Sequence, residues 1–86
     1  MTYTVSFRKS ALKALKSMPI ETRQKMIREL ELIALNPFAY RGDWKPLKGS
    51  DLWRLRVGGW RAICELQKGQ LVLLVVKVGS RGDIYK

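Results

Sequence analysis

Residues 52–66, LWRLRVGGWRAICEL, constrain the fold more than any other part of the chain. On both sides of Gly58-Gly59 apolar residues alternate with other types, which is typical of strands that bury one face. A glycine pair can adopt the positive φ angles that a two-residue hairpin turn requires. The segment therefore predicts two antiparallel strands, 51–57 and 60–67, joined at this turn.

The same turn fixes which residues face each other across the hairpin. With Gly58 and Gly59 as the turn, Val57 lies opposite Trp60, and each further step pairs the next two residues. The predicted pairs are Arg56 with Arg61, Leu55 with Ala62, Arg54 with Ile63, and Trp53 with Cys64. One face is then apolar, with Trp53, Leu55, Val57, Trp60, Ala62 and Cys64. Arg54, Arg56 and Arg61 share the other face.

The remaining elements follow from periodicity and from proline. Residues 3–7, YTVSF, alternate with period two and predict a first strand. Helical spacing predicts one helix that ends before Pro19, with Ala11, Leu12, Leu15 and Met18 on its apolar face. A second helix runs from Ile20 to Asn36-Pro37, because the residue before proline avoids helical dihedral angles.

Residues 36–51 contain two prolines and two glycines without a sustained period, and they predict a loop. The last predicted strand is QLVLLVVKV at 70–78. We expect one α+β domain over residues 1–86, because a chain this short builds a single core. Its order is β-α-α-β-β-β, with a helix hairpin packed on one face of a small, mainly antiparallel twisted sheet.

The second hairpin leads to a further expectation. A two-residue turn at Lys68-Gly69 places Leu74 opposite Ile63 and Val76 opposite Arg61, so the last strand is apolar on both faces. Either a partner segment covers the second face, or sheet curvature or the long loop does.

Composition narrows the classes of partner. Seventeen Lys and Arg residues against seven Asp and Glu give a formal net charge of +10, which favours nucleic acid, an anionic membrane or an acidic protein. The single cysteine, Cys64, excludes an intramolecular disulfide, and the absence of histidine removes the usual zinc ligands, so we expect no metal or cofactor. Neither a signal peptide nor an apolar stretch of membrane-spanning length is present, and we expect a cytoplasmic protein.

The three arginines on one face need an explanation, because like charges opposed on neighbouring strands are unfavourable. Guanidinium groups bind phosphate oxygens through paired, charge-assisted hydrogen bonds, so the cluster predicts an anion site. The alternative is a solvated face whose arginines splay apart. An acidic residue of the same chain between the arginines would remove the need for an external anion.

WRLRVGGWRAICEL, followed by VKVGSRGDIYK, resembles the RelE/ParE superfamily of bacterial toxins and in particular its RelE-type branch. The early strand and helix pair, KPLKG at 45–49, and the closing VG-x-R-x-x-x-Y complete the resemblance. It implies the toxin of a type II toxin-antitoxin pair. Such a toxin cleaves mRNA in the ribosomal A site without metal, by attack of the 2′-hydroxyl on the adjacent phosphate. It also implies a toxin-antitoxin hetero-oligomer in which an acidic antitoxin neutralises the toxin.

The resemblance also implies site residues. Carried over by position, the catalytic candidates are Arg54, Arg56, Arg61, Arg81 and Tyr85, and Lys48 matches the basic residue of the preceding loop. The RNA-binding candidates are Lys48 together with Arg41, Lys45 and Lys77. Arg56 and Arg61 would stabilise charge on the phosphate, Arg81 would assist the leaving oxygen, and Tyr85 would stack on a base.

The general base stays open, because arginine is a poor base and Ser80 stands where relatives often carry histidine. The choices are Lys45, Lys48, Glu65, Asp83, a ribosomal group, or positioning and charge alone. Two other functions compete with RNA cleavage: inhibition of DNA gyrase, as in ParE-type relatives, and nucleic-acid binding without chemistry.

Overall fold

A computed structural model describes residues 2–80 of the chain. Its elements are β1 (Thr4–Phe7), α1 (Lys9–Lys16), α2 (Ile20–Leu35), β2 (Trp44–Pro46), β3 (Leu52–Val57), β4 (Trp60–Gln67) and β5 (Val72–Gly79). The strands form one sheet in the order β1-β5-β4-β3-β2, in which β1 runs parallel to β5 and all other neighbours are antiparallel. The predicted α+β class, with two consecutive helices on a mainly antiparallel sheet, is confirmed.

The prediction of a loop throughout residues 36–51 is wrong, because β2 lies within it. β2 pairs with β3, and Lys45 lies opposite Arg54. The strand has only three residues and ends in Pro46, which a sheet tolerates because β2 is an edge strand. So short a strand gives too little alternation for periodicity to detect.

The hairpin of β3 and β4 has the predicted register. All five predicted pairs occur, from Val57 with Trp60 to Trp53 with Cys64. Gly58 takes a positive φ of 59°, which the turn requires and which glycine adopts without a steric penalty. Arg56 and Arg61 are therefore direct neighbours across two strands.

The predicted register of β4 and β5 is wrong. The turn comprises four residues, 68–71, because Leu71 takes a φ of 53° and β5 pairing begins only where Val72 meets Gln67. A bulge at Ile63/Cys64 then shifts the pairing by one more residue. Ile63 consequently lies opposite Lys77 rather than Leu74, and Arg61 lies opposite Gly79 rather than Val76.

The core lies between the sheet and the two helices. α1 packs over β5, and α2 packs near β1 and β3. Fully buried side chains are supplied by both layers: Met26, Leu30 and Ile33 from α2, and Leu55, Cys64, Leu73 and Val75 from the sheet. Leu12, predicted on the apolar face of α1, is instead 38% exposed. Within the described part of the chain, no helix is long and apolar enough to cross a membrane.

The opposite face of the sheet is covered in part by the chain itself. Ile63 points away from the helices, yet it is only 3% exposed. A pocket of about 420 Å³ lies beside it, lined by Leu47, Ser50 and Leu52 on one side and by Val76 on the other. The segment between β2 and β3 therefore covers part of the second face of the sheet, as one of the alternatives predicted. Val72, Leu74 and Val76 on β5 remain half-buried.

Candidate functional site

The sheet surface turned away from the helices is strongly basic. Because Lys45 lies opposite Arg54, and Arg56 opposite Arg61, each pair shares one side of the sheet. The alternating residues Leu55 and Val57 are buried on the other side. Lys77, on β5, lies opposite Ile63. We call this surface the arginine face; its cations are Lys45, Arg54, Arg56, Arg61 and Lys77.

One carboxylate of the same chain reaches into the arginine face. Asp43, directly before β2, forms salt bridges with both Arg54 and Arg56. Nη2 of Arg54 donates a hydrogen bond to Oδ1, and Nε of Arg56 lies 2.8 Å from Oδ2. The backbone N–H of Arg56 also donates to the carbonyl of Asp43, at 3.0 Å. Asp43 therefore continues the β2–β3 pairing by one residue and stands beside Arg56.

Contrary to the prediction, Arg54 and Arg56 do not need an external anion to offset their charge, because Asp43 already pairs with both. Arg61 differs from both, since within residues 2–80 its side chain has neither a hydrogen bond nor an ion pair. Glu65 alternates with the buried Cys64 and Leu66 and so lies on the same side of the sheet as Ile63. Two carboxylates against five cations still leave the arginine face positive. The need for an external anion thus rests on Arg61 and on the donors of Arg56 that Asp43 leaves unused.

The position of Asp43 depends on the segment that precedes it. The Tyr40 hydroxyl donates to Oε1 of Glu29 on α2 at 2.5 Å, which ties this segment to the helix. Burial raises the pKa of Tyr40 above its ordinary value, and the hydrogen bond to Glu29 raises that pKa further. Gly42 lies against the Tyr40 ring, because a Cβ there would be 2.1 Å from the hydroxyl oxygen. Trp44, directly after Asp43, is buried in the core.

The other predicted site residues are distributed as follows. Lys45 is exposed on the arginine face, Lys48 and Lys77 line the 420 Å³ pocket next to it, and Arg41 is exposed in the segment before β2. Arg81 and Tyr85 lie outside the described residues, as does Asp83. Glu65, a candidate base, accepts a hydrogen bond from Nε2 of Gln67 at 2.8 Å. Residues 2–80 contain no group of three or more potential metal ligands.

The aromatic residues and the cysteine of the hairpin belong to the other side. Trp53 stacks on Trp44 with ring centroids 5.0 Å apart, and both Trp53 and Trp60 pack against the core. Cys64 is fully buried, and burial raises the pKa of its thiol. All three side chains therefore lie on the helix side of the sheet, as the alternation predicted.

Asp43 is the site residue that sequence reasoning missed. Its signal is Asp43-Trp44-Lys45, a charged–apolar–charged alternation that is consistent with a strand burying only the tryptophan. Reading it as an edge strand beside β3 would have placed Asp43 and Lys45 on the arginine face. The prolines and glycines around it favoured a loop instead.

Comparison with known proteins gives a consistent result. The family model described as the ParE toxin of the parDE type II toxin-antitoxin system matches residues 5–85. A putative RelE-like toxin protein of Escherichia coli is 30% identical over 87 residues, covering 99% of this chain and 92% of that protein.

Solved structures of RelE proteins are similar to this chain along nearly its whole length. RelE in the archaeal RelE-RelB complex of Pyrococcus horikoshii has a TM-score of 0.82 and 29% identity, covering 95% of this chain and 98% of that chain. A mutant of E. coli toxin RelE in the free state, at 23% identity, has the same fold, with a TM-score of 0.82 over 99% of this chain and 92% of that chain. The chain therefore belongs to the ParE toxin family of type II toxin-antitoxin systems, within the RelE/ParE superfamily.

Proposed function

We propose that this toxin is a ribosome-dependent mRNA endonuclease that acts in the cytoplasm and is neutralised by a cognate acidic antitoxin. The observation that carries the proposal is the direct opposition of Arg56 and Arg61 on an outward-facing basic surface. Two guanidinium groups held side by side on neighbouring strands suit one phosphate between them. Lys45, Lys48, Lys77 and Arg41 would extend contact along the RNA backbone.

The proposed reaction needs little from the protein beyond charge and positioning. The 2′-oxygen loses its proton and forms a bond to phosphorus, the P–O5′ bond breaks, and O5′ takes up a proton. The products are a 2′,3′-cyclic phosphate and a free 5′-hydroxyl. Negative charge develops on the non-bridging oxygens, where fixed guanidinium groups stabilise it. We assign this role to Arg56 and Arg61, with Arg54 beside them, leaving-group assistance to Arg81 and base stacking to Tyr85.

Gyrase inhibition is the second candidate, and it is favoured by the family model that matches the chain. The 30% identical relative, by contrast, is described as RelE-like. A gyrase inhibitor has no evident use for opposed arginines that face away from the core. We therefore rank RNA cleavage first.

The deciding experiment uses ribosomes programmed with defined A-site codons. Wild-type toxin is expected to cut mRNA at the A-site codon, and Arg61→Ala to slow cutting about 100- to 1,000-fold, as for loss of one preorganised donor to a developing oxyanion. Arg8→Ala is the matched control, because Arg8 is exposed at the β1–α1 junction and β5 separates its strand from the strand of Arg61. We expect this control to cut at the wild-type rate.

Three results would contradict the proposal. Trapped gyrase–DNA cleavage complexes without mRNA cutting would support the gyrase reading. Ribosome binding without cutting would support a module that only binds nucleic acid. Equal loss of cutting in Arg61→Ala and Arg8→Ala would mean that general charge, rather than the arginine pair, drives the reaction.

A further inference from the structure

We propose that Asp43 is a positioning residue that holds Arg54 and Arg56 so that Arg56 and Arg61 together receive the scissile phosphate. This inference rests on the proposed function and assigns a role to a residue that carries no substrate contact of its own. Its starting point is that Asp43 shares its two carboxylate oxygens between two neighbouring arginines of one strand.

The atoms used by each ion pair matter. Asp43 approaches Arg56 at Nε, on the stem side of the guanidinium group, at 2.8 Å. Among residues 2–80, nothing bonds to the terminal Nη1 and Nη2 of Arg56, and its side chain is 49% exposed. A guanidinium held at Nε keeps the outer pair of N–H donors that binds an oxyanion in a bidentate manner. Asp43 thus restrains Arg56 without occupying its substrate-binding edge.

The order of residues across the strands supports the same role. Arg56 lies between Asp43, which continues β2, and Arg61 on β4. A carboxylate on one side offsets the repulsion that two directly opposed arginines would otherwise exert on each other. Without Asp43, we expect Arg56 to turn away from Arg61 into solvent.

Arg54 needs the carboxylate for another reason. Its side chain is only 19% exposed, and its Nε is buried without a hydrogen-bond partner in the described part of the chain. When a partly buried cation loses its counter-ion, the free-energy cost of its desolvation is no longer offset by an ion pair. Asp43 therefore also holds Arg54 in place beside Arg56.

The segment around Asp43 is built to fix it. The hydrogen bond from Tyr40 to Glu29, the close approach of Gly42 to the Tyr40 ring and the burial of Trp44 hold the backbone on both sides. The hydrogen bond between the Arg56 N–H and the Asp43 carbonyl locks its position relative to β3. Balancing charge alone would not require the backbone of the carboxylate to be held at a fixed position.

The kinetic test separates positioning from charge. Asp43→Ala raises the formal net charge of +10 by one unit, so ribosome binding is expected to stay equal or to tighten a few-fold. Single-turnover cutting at saturating toxin is expected to fall about 10- to 100-fold, because the arginines lose their alignment. Asp43→Glu should recover part of this loss and Asp43→Asn little of it. Glu31→Ala, an exposed residue of α2, makes the same charge change and should cut like wild type.

Several outcomes overturn the role. Faster cutting by Asp43→Ala would mean that the carboxylate competes with the phosphate. Unchanged cutting would mean that it does nothing for the reaction. Equal weakening of binding and cutting, together with a lower melting temperature in both Asp43→Ala and Asp43→Glu, would mean that the residue only supports the fold.

A second measurement does not depend on RNA cleavage. In NMR spectra of uniformly labelled toxin, the Nε–Hε signal of Arg56 should exchange with solvent more slowly than that of Arg8. Inorganic phosphate should then shift the Arg56 and Arg61 signals together. In Asp43→Ala, Arg56 should exchange like Arg8, and phosphate should shift Arg61 alone.

The cutting assay and the NMR experiment test the proposed function and the role of Asp43 separately. Should wild-type toxin fail to cut on ribosomes, the proposed function fails, while the phosphate titration still decides whether Asp43 organises the arginines. Arg56 exchanging like Arg8 in the wild type, or a phosphate response at Arg56 that survives Asp43→Ala, overturns the positioning role itself.

Discussion

The two faces of the sheet are built in different ways. The helix face buries large apolar side chains completely, among them Leu30, Leu55 and Val75, and none of the described residues that are buried is of a polar or charged type. The arginine face holds five cations, of which Arg54 and Arg56 form ion pairs with Asp43 in the segment from Tyr40 to Trp44. Burial of apolar surface supplies most of the stability, while partly exposed ion pairs supply little. The helix face therefore keeps the molecule folded, while the arginine face carries the proposed site.

The largest expected effect on stability lies on the helix face. Leu30 is fully buried in the middle of α2, so Leu30→Ala removes its packing and leaves a cavity. We expect the free energy of unfolding to fall by about 2–5 kcal/mol, measured by urea denaturation. Leu32→Ala is the control, because Leu32 on the same helix is 47% exposed, and it should change stability by less than about 0.5 kcal/mol. Similar losses in both variants would contradict a core centred on the helix face.

A smaller effect is expected where the arginine face meets its support. In Gly42→Ala the new methyl group displaces the Tyr40 ring, so the hydrogen bond to Glu29 is lost at a cost of about 1–2 kcal/mol in unfolding free energy. Ribosomal cutting should fall further than this loss of stability explains, because Asp43 is the next residue.

A double variant tests the cause of that loss. In a Tyr40→Ala background the same Gly42→Ala change should cost almost nothing, since the clashing ring is absent. Additive losses in unfolding free energy would show that the glycine matters for another reason.

The smallest expected effect is a dependence of stability on pH. Folding raises the pKa of the Tyr40 hydroxyl, so Tyr40 contributes fully to the free energy of unfolding at pH values below the unfolded pKa of about 10. This contribution is lost as the pH rises above that value. Between about pH 8 and pH 11, wild type should therefore lose more stability than Tyr40→Phe, measured by urea midpoints. Cys64 titrates in both proteins, so the difference between them isolates Tyr40. Parallel curves would mean that the hydroxyl titrates alike in folded and unfolded chains.

Periodicity predicted the register of the first hairpin correctly but that of the second wrongly. Around Gly58-Gly59, a slip by one position would move Arg54 and Arg56 into the core, so the pattern permits one register. Residues 71–76, LVLLVV, are apolar throughout, and every register places an apolar residue on both faces. The pattern therefore carried no information about the four-residue turn or the bulge at Ile63/Cys64.

The candidate site was predicted only in part. The opposition of Arg56 and Arg61 follows from the turn alone, and the structure has it. The partnership of Asp43 with Arg54 and Arg56 depends on a short edge strand that brings a distant part of the chain beside β3. Contacts of this kind arise from tertiary pairing, which local periodicity does not encode.

The parallel pairing of the first strand with the last has a consequence for biosynthesis. Thr4 lies beside Val72, so the first strand finds its neighbour only after all the residues between them have been synthesised. Pairings between such distant positions form slowly compared with helices and local hairpins. The sheet of a nascent toxin chain therefore remains incomplete until β5 has been synthesised, which delays the appearance of a folded toxin during translation.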